Sequence, residues 1–196
     1  TIDPTDDALY EGNETVIVDI TNVTGATAGS TTQAIVTITD DETTPTVTLS
    51  GTTTIVENAA GTATITATLS TATTTDTVVS LGFAGTASAG DYAASNTTIT
   101  IPAGQLTGTI TIDPTDDALY EGNETVIVDI TNVTGATAGS TTQAIVTITD
   151  DETTPTVTLS GTTTIAENAA GTATITATLS TATTTDTVVS LGFAGT

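Results

Sequence analysis

Lysine, arginine, histidine, cysteine, methionine and tryptophan are all absent from this 196-residue chain, and its aromatics are three Tyr and two Phe. Each absence excludes something. Without His, Lys, Arg or Cys there is no imidazole base, Schiff-base amine, thiolate or guanidinium clamp, so most acid/base, covalent and phosphoryl-transfer chemistry has no carrier and the chain is not expected to be an enzyme. Without cysteine there are neither disulfides nor thiolate metal sites, which is compatible with a place outside the cell. No run of 18 apolar residues and no basic start followed by an apolar stretch occur, so this segment is expected neither to enter a membrane nor to carry a signal peptide. The charge that is present is all of one sign: 23 Asp plus Glu give a formal net charge of -23. Such a surface is repelled by nucleic acid and by anionic lipid, which removes both as partners.

The sequence repeats itself. Thr-Ile-Asp-Pro-Thr-Asp-Asp-Ala-Leu-Tyr begins at Thr1 and again at Thr111, and residues 1–86 match residues 111–196 with one difference, Val56 against Ala166. A period of 110 residues is too long for a solenoid rung and suits one small domain. The array is out of phase with the chain. Thr-Thr-Pro at residues 43–45 and 153–155 marks the expected domain edges, which gives the closing half of one domain (1–42), a complete domain (46–152) and the opening half of a third (156–196). A linker of about three residues leaves neighbouring domains in contact or nearly so. The ends are expected to be cut from a longer array that continues with something close to Ala-Ser-Ala-Gly-Asp-Tyr. The two half-domains together lack residues 87–110 and do not complete one sandwich, so noncovalent polymerisation of split domains is the second choice.

Within a period, apolar residues alternate with Thr, which is strand patterning. Strands are predicted over residues 46–49, 53–56, 62–69, 77–83, 97–101, 106–112, 124–131 and 142–149. Ile65, Ala67, Leu69, Val79, Leu81, Phe83, Val126, Val128, Ile130, Ala144, Val146 and Ile148 face inward. Turns are predicted around residues 58–61, 87–90, 102–104, 116–122 and 135–139. About seven short strands punctuated this way predict an all-β, antiparallel sandwich of immunoglobulin-like build, with a core of Val, Ile, Leu and Ala and no helix longer than a turn.

The complete domain holds twelve carboxylates, and nine of them fall in turns or at strand ends: Glu57, Asp91, Asp116 with Asp117, Glu121 with Glu124, and Asp150, Asp151 and Glu152. Loops between alternate strands of a sandwich gather at one end, so these turns are expected to converge. Carboxylates crowded together repel unless a hard cation lies among them, and Ca2+ takes six to eight oxygens in a flexible shell. A solvated anionic surface that keeps a Thr-rich chain soluble is the plain alternative.

Four motifs in fixed order, Val-Glu-Asn-Ala-Ala-Gly, Ala-Gly-Asp-Tyr, Asp-Asp-Ala-Leu-Tyr-Glu-Gly-Asn-Glu-Thr and Val-Thr-Ile-Thr-Asp-Asp-Glu, resemble the Calx-beta domain. That family is known from the calcium-sensing region of sodium/calcium exchangers, from integrin β4 and from tandem arrays in large bacterial surface and secreted proteins. The resemblance covers the whole period. It implies Ca2+ as cofactor, with ligands at Glu57, Asp91, Asp116, Asp117, Glu121, Glu124, Asp150, Asp151 and Glu152 and the Leu119 carbonyl as a further oxygen. In the partial copies it implies Asp6, Asp7, Leu9, Glu11, Glu14, Asp40, Asp41 and Glu42, and Glu167. The chain departs from the family where Ala118 replaces a third Asp, where Gly122 stands at a position that takes an acid, and where Glu152 replaces Asp. One to three ions per site are expected.

Tyr92 and Tyr120 are read as corner residues packed on the core rather than as recognition aromatics. Asn13, Asn22, Asn96, Asn123 and Asn132 each precede Thr by two, a pattern that arises by chance in so Thr-rich a chain. The carboxylates lack the aromatic platform of a glycosidase. The leading functional expectation is an extracellular or cell-surface bacterial stalk, adhesin or matrix filament, its partners the neighbouring copies of the repeat end to end and laterally in a fibre, with Ca2+ stiffening each junction. The alternative is a Ca2+-dependent module that binds a glycan or a protein, although the chain lacks the Trp and Arg that usually carry binding energy.

Overall fold

Alternating burial, Thr outward and aliphatics inward, produces two stacked sheets. The computed structural model describes residues 1–168 and 170–195. Thr196, the last position of the expected third unit, and Ala169 lie outside the described residues. The strands in chain order are β1 (Glu14–Asp19), β2 (Gln33–Ile38), β3 (Thr46–Gly51), β4 (Thr54–Val56), β5 (Ala63–Leu69), β6 (Thr77–Gly85), β7 (Tyr92–Ala94) and β8 (Thr98–Ile101). They continue with β9 (Thr107–Pro114), β10 (Leu119–Tyr120), β11 (Glu124–Thr134), β12 (Thr137–Ala138), β13 (Gln143–Thr149), β14 (Val157–Gly161), β15 (Ile175–Leu179) and β16 (Ala182–Thr183). Among the described residues, no helix is long and apolar enough to cross a membrane.

Two five-stranded sheets, β4-β13-β11-β6-β8 and β12-β3-β5-β9-β7, form the sandwich between residues 46 and 149. β5 reads buried, half-buried, buried along its whole length, as alternation demands. Val47, Ile65, Val79, Ile112, Val126 and Val146 are fully covered, each contributing on the order of 1.5–3 kcal/mol. Seven longer strands and the short β4 match the eight predicted ranges, and two further short strands, β7 and β12, complete the sheets.

Several details differ from the sequence reading. Not every ladder is antiparallel: β4 runs parallel to β13 and β12 parallel to β3. Residues 116–122 and 135–139, read as turns, contain β10 and β12, and the segment 92–94 is a strand. Phe83 and Ile130, expected inward, are only partly buried, and β11 shifts register between Ile130 and Asn132. The pairings of β7, β10 and β12, two or three residues each, depend on what lies across the sheet, so local alternation does not reveal them. Tyr92 packs on the core as expected, whereas Tyr120 is not part of it. Val56, the position that differs between repeats, is 45% exposed at the end of an edge strand and has room for the change.

The half-domains keep local pairing without a core. β1 and β2 pair antiparallel with the register of β11 and β13, and β14 pairs with β15 as β3 does with β5. Pro45 of the first linker is buried, and its carbonyl accepts the Thr137 N–H at 2.9 Å. The linker is thereby tied to the domain that follows it.

Candidate metal centre

Strand pairing brings the acidic turns to one end of the sandwich. β4 lies parallel to the end of β13, with Val56 opposite Thr149, and the Glu57 N–H donates to the Thr149 carbonyl at 2.9 Å. Glu57 therefore sits beside Asp150, Asp151 and Glu152, which end β13. β7 pairs with the end of β9, Tyr92 opposite Pro114, and the Thr115 N–H donates to the Asp91 carbonyl at 2.9 Å. That sets Asp91 against the loop containing Asp116, Asp117 and Glu121. Glu124 opens β11 opposite Ile148.

Three groups of carboxylates each place one oxygen per residue within 4.8 Å of the others: Glu57 with Asp151 and Glu152, Glu57 with Asp117 and Glu121, and Asp91 with Glu121 and Glu124. Glu57 and Glu121 are each shared by two groups, so the groups join into one continuous acidic track. Of the sequence candidates, Asp116 is exposed and in none of the groups, and Asp150 is likewise outside them. Asp150 has a different task. Its Oδ2 accepts the N–H groups of Glu121 (2.8 Å) and Gly122 (2.5 Å), and its Oδ1 accepts the Glu152 N–H at 2.9 Å, which folds the loop back onto the end of β13. Asp117 Oδ1 accepts the Leu119 N–H at 2.7 Å, while its own N–H donates to Glu57 Oε1 at 3.3 Å.

Residues to which sequence reasoning assigned no positioning role hold this arrangement. Gly122 has φ of +77°, a left-handed conformation that side chains disfavour, and this explains why no acid stands there. The repeated signal was present in Gly12, with φ of +74°. The Ser88 N–H donates to Asp91 Oδ2 and the Asn58 amide to Asp151 Oδ2, both at 2.5 Å.

The electrostatics are those of crowded anions. Burial, with Asp117, Glu152 and Asp150 adding to it against an opposing hydrogen bond from the Asp117 N–H, pushes Glu57 up to about 7. Burial, then the hydrogen bond to Asp91 and the charges of Asp91, Glu121 and Glu57, pushes Glu124 up to about 7. Glu121 and Glu152 are raised for similar reasons, burial first. Burial acts on Asp91 and Asp150 as well. There the hydrogen bonds outweigh it, from Ser88 and Glu124 to Asp91 and from Gly122, Glu152 and Glu121 to Asp150, and both stay below the usual carboxylate range.

The donor set fits a hard cation. Glu57 is 5% exposed, and Glu152 Oε2 is buried without a hydrogen-bond partner among the described residues. A buried carboxylate oxygen left unpaired is costly, and the sequence has no basic side chain to pair it. An all-oxygen set of this kind suits Ca2+.

In the closing half-domain the local geometry recurs. Asp40 accepts the N–H groups of Glu11 (2.9 Å), Gly12 (2.5 Å) and Glu42 (3.1 Å), and Asp7 accepts the Leu9 N–H at 2.8 Å. Asp6, Glu14 and Asp41 stand nearby in sequence, and Glu167 in the opening half is exposed; none of these joins a group of three among the described residues.

A β-sandwich with acidic loops gathered at one end has the donor set of a cation-binding β module. The model of the Calx-beta domain matches residues 1–42 and 40–152, and the chain belongs to that family, whose domains are calcium-binding modules without catalytic activity. Among solved structures, the apo-form Calx CBD1 domain is 24% identical with a TM-score of 0.50, covering 56% of this chain and 100% of that one, and it shares the fold. The CBD12 of CALX1.2 is 25% identical (TM-score 0.48; 54% of this chain, 45% of that one). The calcium-binding domain CBD12 of CALX1.1 is 27% identical (TM-score 0.46; 52% and 42%). No curated protein sequence matches the chain.

Proposed function

We propose that each complete repeat is a calcium-binding module that holds its ions along the acidic track from Asp151 and Glu152 through Glu57, Asp117 and Glu121 to Asp91 and Glu124, and that this ordered end of the sandwich serves Ca2+-dependent binding of a protein or glycan. The observation that carries it is the buried Glu57 grouped with Glu152, whose Oε2 is covered without a hydrogen-bond partner among the described residues, in a chain without a single basic side chain. Bound Ca2+ supplies the missing counter-charge. The protein's own contribution is positional: Asp150 clasps the loop, Asp117 fixes its turn, and Gly122 permits the reversal. The shared residues Glu57 and Glu121 favour more than one ion, within the range of one to three.

Calorimetric titration with Ca2+ tests this. Saturable binding of at least one ion per complete domain, absent with Mg2+ at equal concentration, is expected; no binding heat at millimolar Ca2+ overturns it. A second reading, an extracellular bacterial stalk or filament of tandem domains, is favoured by the near identity of the repeats, in which copy number outweighs individuality. A Ca2+-dependent hit on a glycan array supports the binding module over the stalk.

A further inference from the structure

The loop that carries the site also reaches the next repeat. β10 (Leu119–Tyr120) runs parallel to β16 (Ala182–Thr183), with Leu119 opposite Ala182 and Tyr120 opposite Thr183. Between the first half-domain and the complete domain, Tyr10 bridges Thr73 in the same parallel sense. The Tyr10 N–H donates to the Ala72 carbonyl at 2.8 Å, and the Thr74 N–H donates to the Tyr10 carbonyl at 3.3 Å. Tyr10 and Tyr120 are 110 residues apart, as are Thr73 and Thr183, so both junctions in the chain use the same contact.

We infer that consecutive repeats dock in one fixed register through a main-chain bridge, in which the Leu-Tyr step of the acidic loop pairs with the Ala-Thr step of the turn after the second long strand of the next repeat. Both sides are held in shape before they meet. On the donor side, Leu119 is locked to Asp117 and Glu121 to Asp150, one on each flank of the pairing step. On the receiving side, Thr73 is buried, its hydroxyl donates to the Thr75 carbonyl at 2.7 Å, and its carbonyl accepts the Gly104 N–H at 2.8 Å. Thr183 repeats the hydroxyl bond to the Thr185 carbonyl at 2.7 Å.

Main-chain pairing reads shape and not side-chain identity, so it works at every junction of an array. The short linker keeps the two steps at high effective concentration, which lets a bridge of two residues persist. The surface used on one repeat differs from the surface it meets on the next, so the joint is head-to-tail and propagates without closing. The partner of this surface is therefore the following repeat of the same chain, and the array has a set rotation per domain rather than free joints. The docking needs only protein atoms, and so stands or falls separately from the calcium reading.

The absence of cysteine gives a clean test. Two double variants of the full chain, Leu9→Cys with Ala72→Cys and Leu119→Cys with Ala182→Cys, are oxidised mildly, in chelator and in Ca2+, beside a displaced pair, Asp3→Cys with Ala72→Cys. Thiol counting and intact mass are expected to show both bridge pairs closing at least about tenfold faster than the displaced pair. Equal rates for all three, or closure at one junction only, overturn the inference. Thr74→Pro, which removes the N–H donated to Tyr10, provides a second readout by small-angle scattering. A larger spread of dimensions with an unchanged melting temperature of the complete domain supports the bridge, and an unchanged scattering profile counts against it.

Discussion

Residues 1–42 and 111–152 have the same sequence and different surroundings. Val128 and Val146 are fully buried, while their counterparts Val18 and Val36 are 49% and 41% exposed. The hairpin forms in both places, in one register, and so does the clasp of backbone N–H groups on Asp150 or Asp40. What differs is the acidic cluster. Every one of the three carboxylate groups contains Glu57 or Asp91, and both come from the part of the domain that precedes residue 111. The closing half thus carries the clasp and most of the acids, and the part of the domain before residue 111 supplies Glu57 and Asp91, which turn them into a cluster. The two parts of the acidic cluster meet only when the sandwich closes, so Ca2+ held there would couple binding to folding.

The largest expected effect follows from that coupling. An ion held only by the closed sandwich at a hundred times its dissociation constant stabilises by mass action, and chelation should lower the melting temperature of the complete domain by about 10 °C. Superimposable melts in Ca2+ and in chelator would remove the calcium reading and leave a merely anionic surface.

Packing gives the next difference. Val128→Ala opens space in a covered position and should cost ~2 kcal/mol, whereas Val18→Ala, in the same sequence context but half exposed, should stay within about 0.5 kcal/mol. Denaturant unfolding of both variants checks this, and equal costs would mean that the first half-domain is packed in solution as tightly as the complete one.

A finer contrast sets Glu57→Gln against Glu167→Gln. Glu57 is shared by two carboxylate groups and Glu167 joins none, so the first substitution should weaken Ca2+ binding at least about tenfold and the second leave it unchanged. Calorimetry separates them. Without Ca2+, Glu57→Gln should also raise the melting temperature slightly, because it removes a buried charge from among like charges.

The smallest effect is the pH dependence of the ion-free domain. Glu57 and Glu124 titrate near 7 in the folded state and near 4.5 when unfolded, so their contribution favours the fold fully below pH 4.5 and is lost as the pH rises through about 7. Asp91 and Asp150, whose values are lowered, act in the opposite sense only as the pH falls below about 3.8. In chelator the domain should therefore melt higher at pH 5 than at pH 8. In Ca2+ the order should reverse, since protons compete with the ion. A flat profile in chelator would show that the carboxylates are not crowded in solution.

Much of this was legible in the residues themselves. The alternation of Val and Ile with Thr located the seven longer strands and ten of the buried core positions, because burial on one face of a strand imposes a period of two, while Val47, Leu49, Ala63, Ile99, Ile101, Ile110 and Ile112 went unnamed. The acidic motifs pointed to the right end of the fold. The roles inside that end were not separable by inspection: Asp150 and Asp151 are neighbours of one type, yet Asp150 folds the loop by accepting backbone N–H groups and Asp151 joins Glu57 and Glu152 in a carboxylate group. Tyr120 read as a corner residue of its own domain and instead pairs with the next one. A two-residue parallel bridge leaves no periodic trace, since its partner lies more than sixty residues away.

The sequence by itself determined the class: an all-β tandem array with charge of one sign, because these follow from composition, period and the alternation of side chains. The tertiary structure decided which carboxylates share space, which of them serve the backbone instead, and that the site loop is also the joint between repeats. Those outcomes depend on parallel registers between short edge segments, where pairing partners and distances are set only when two sheets stack and two domains meet.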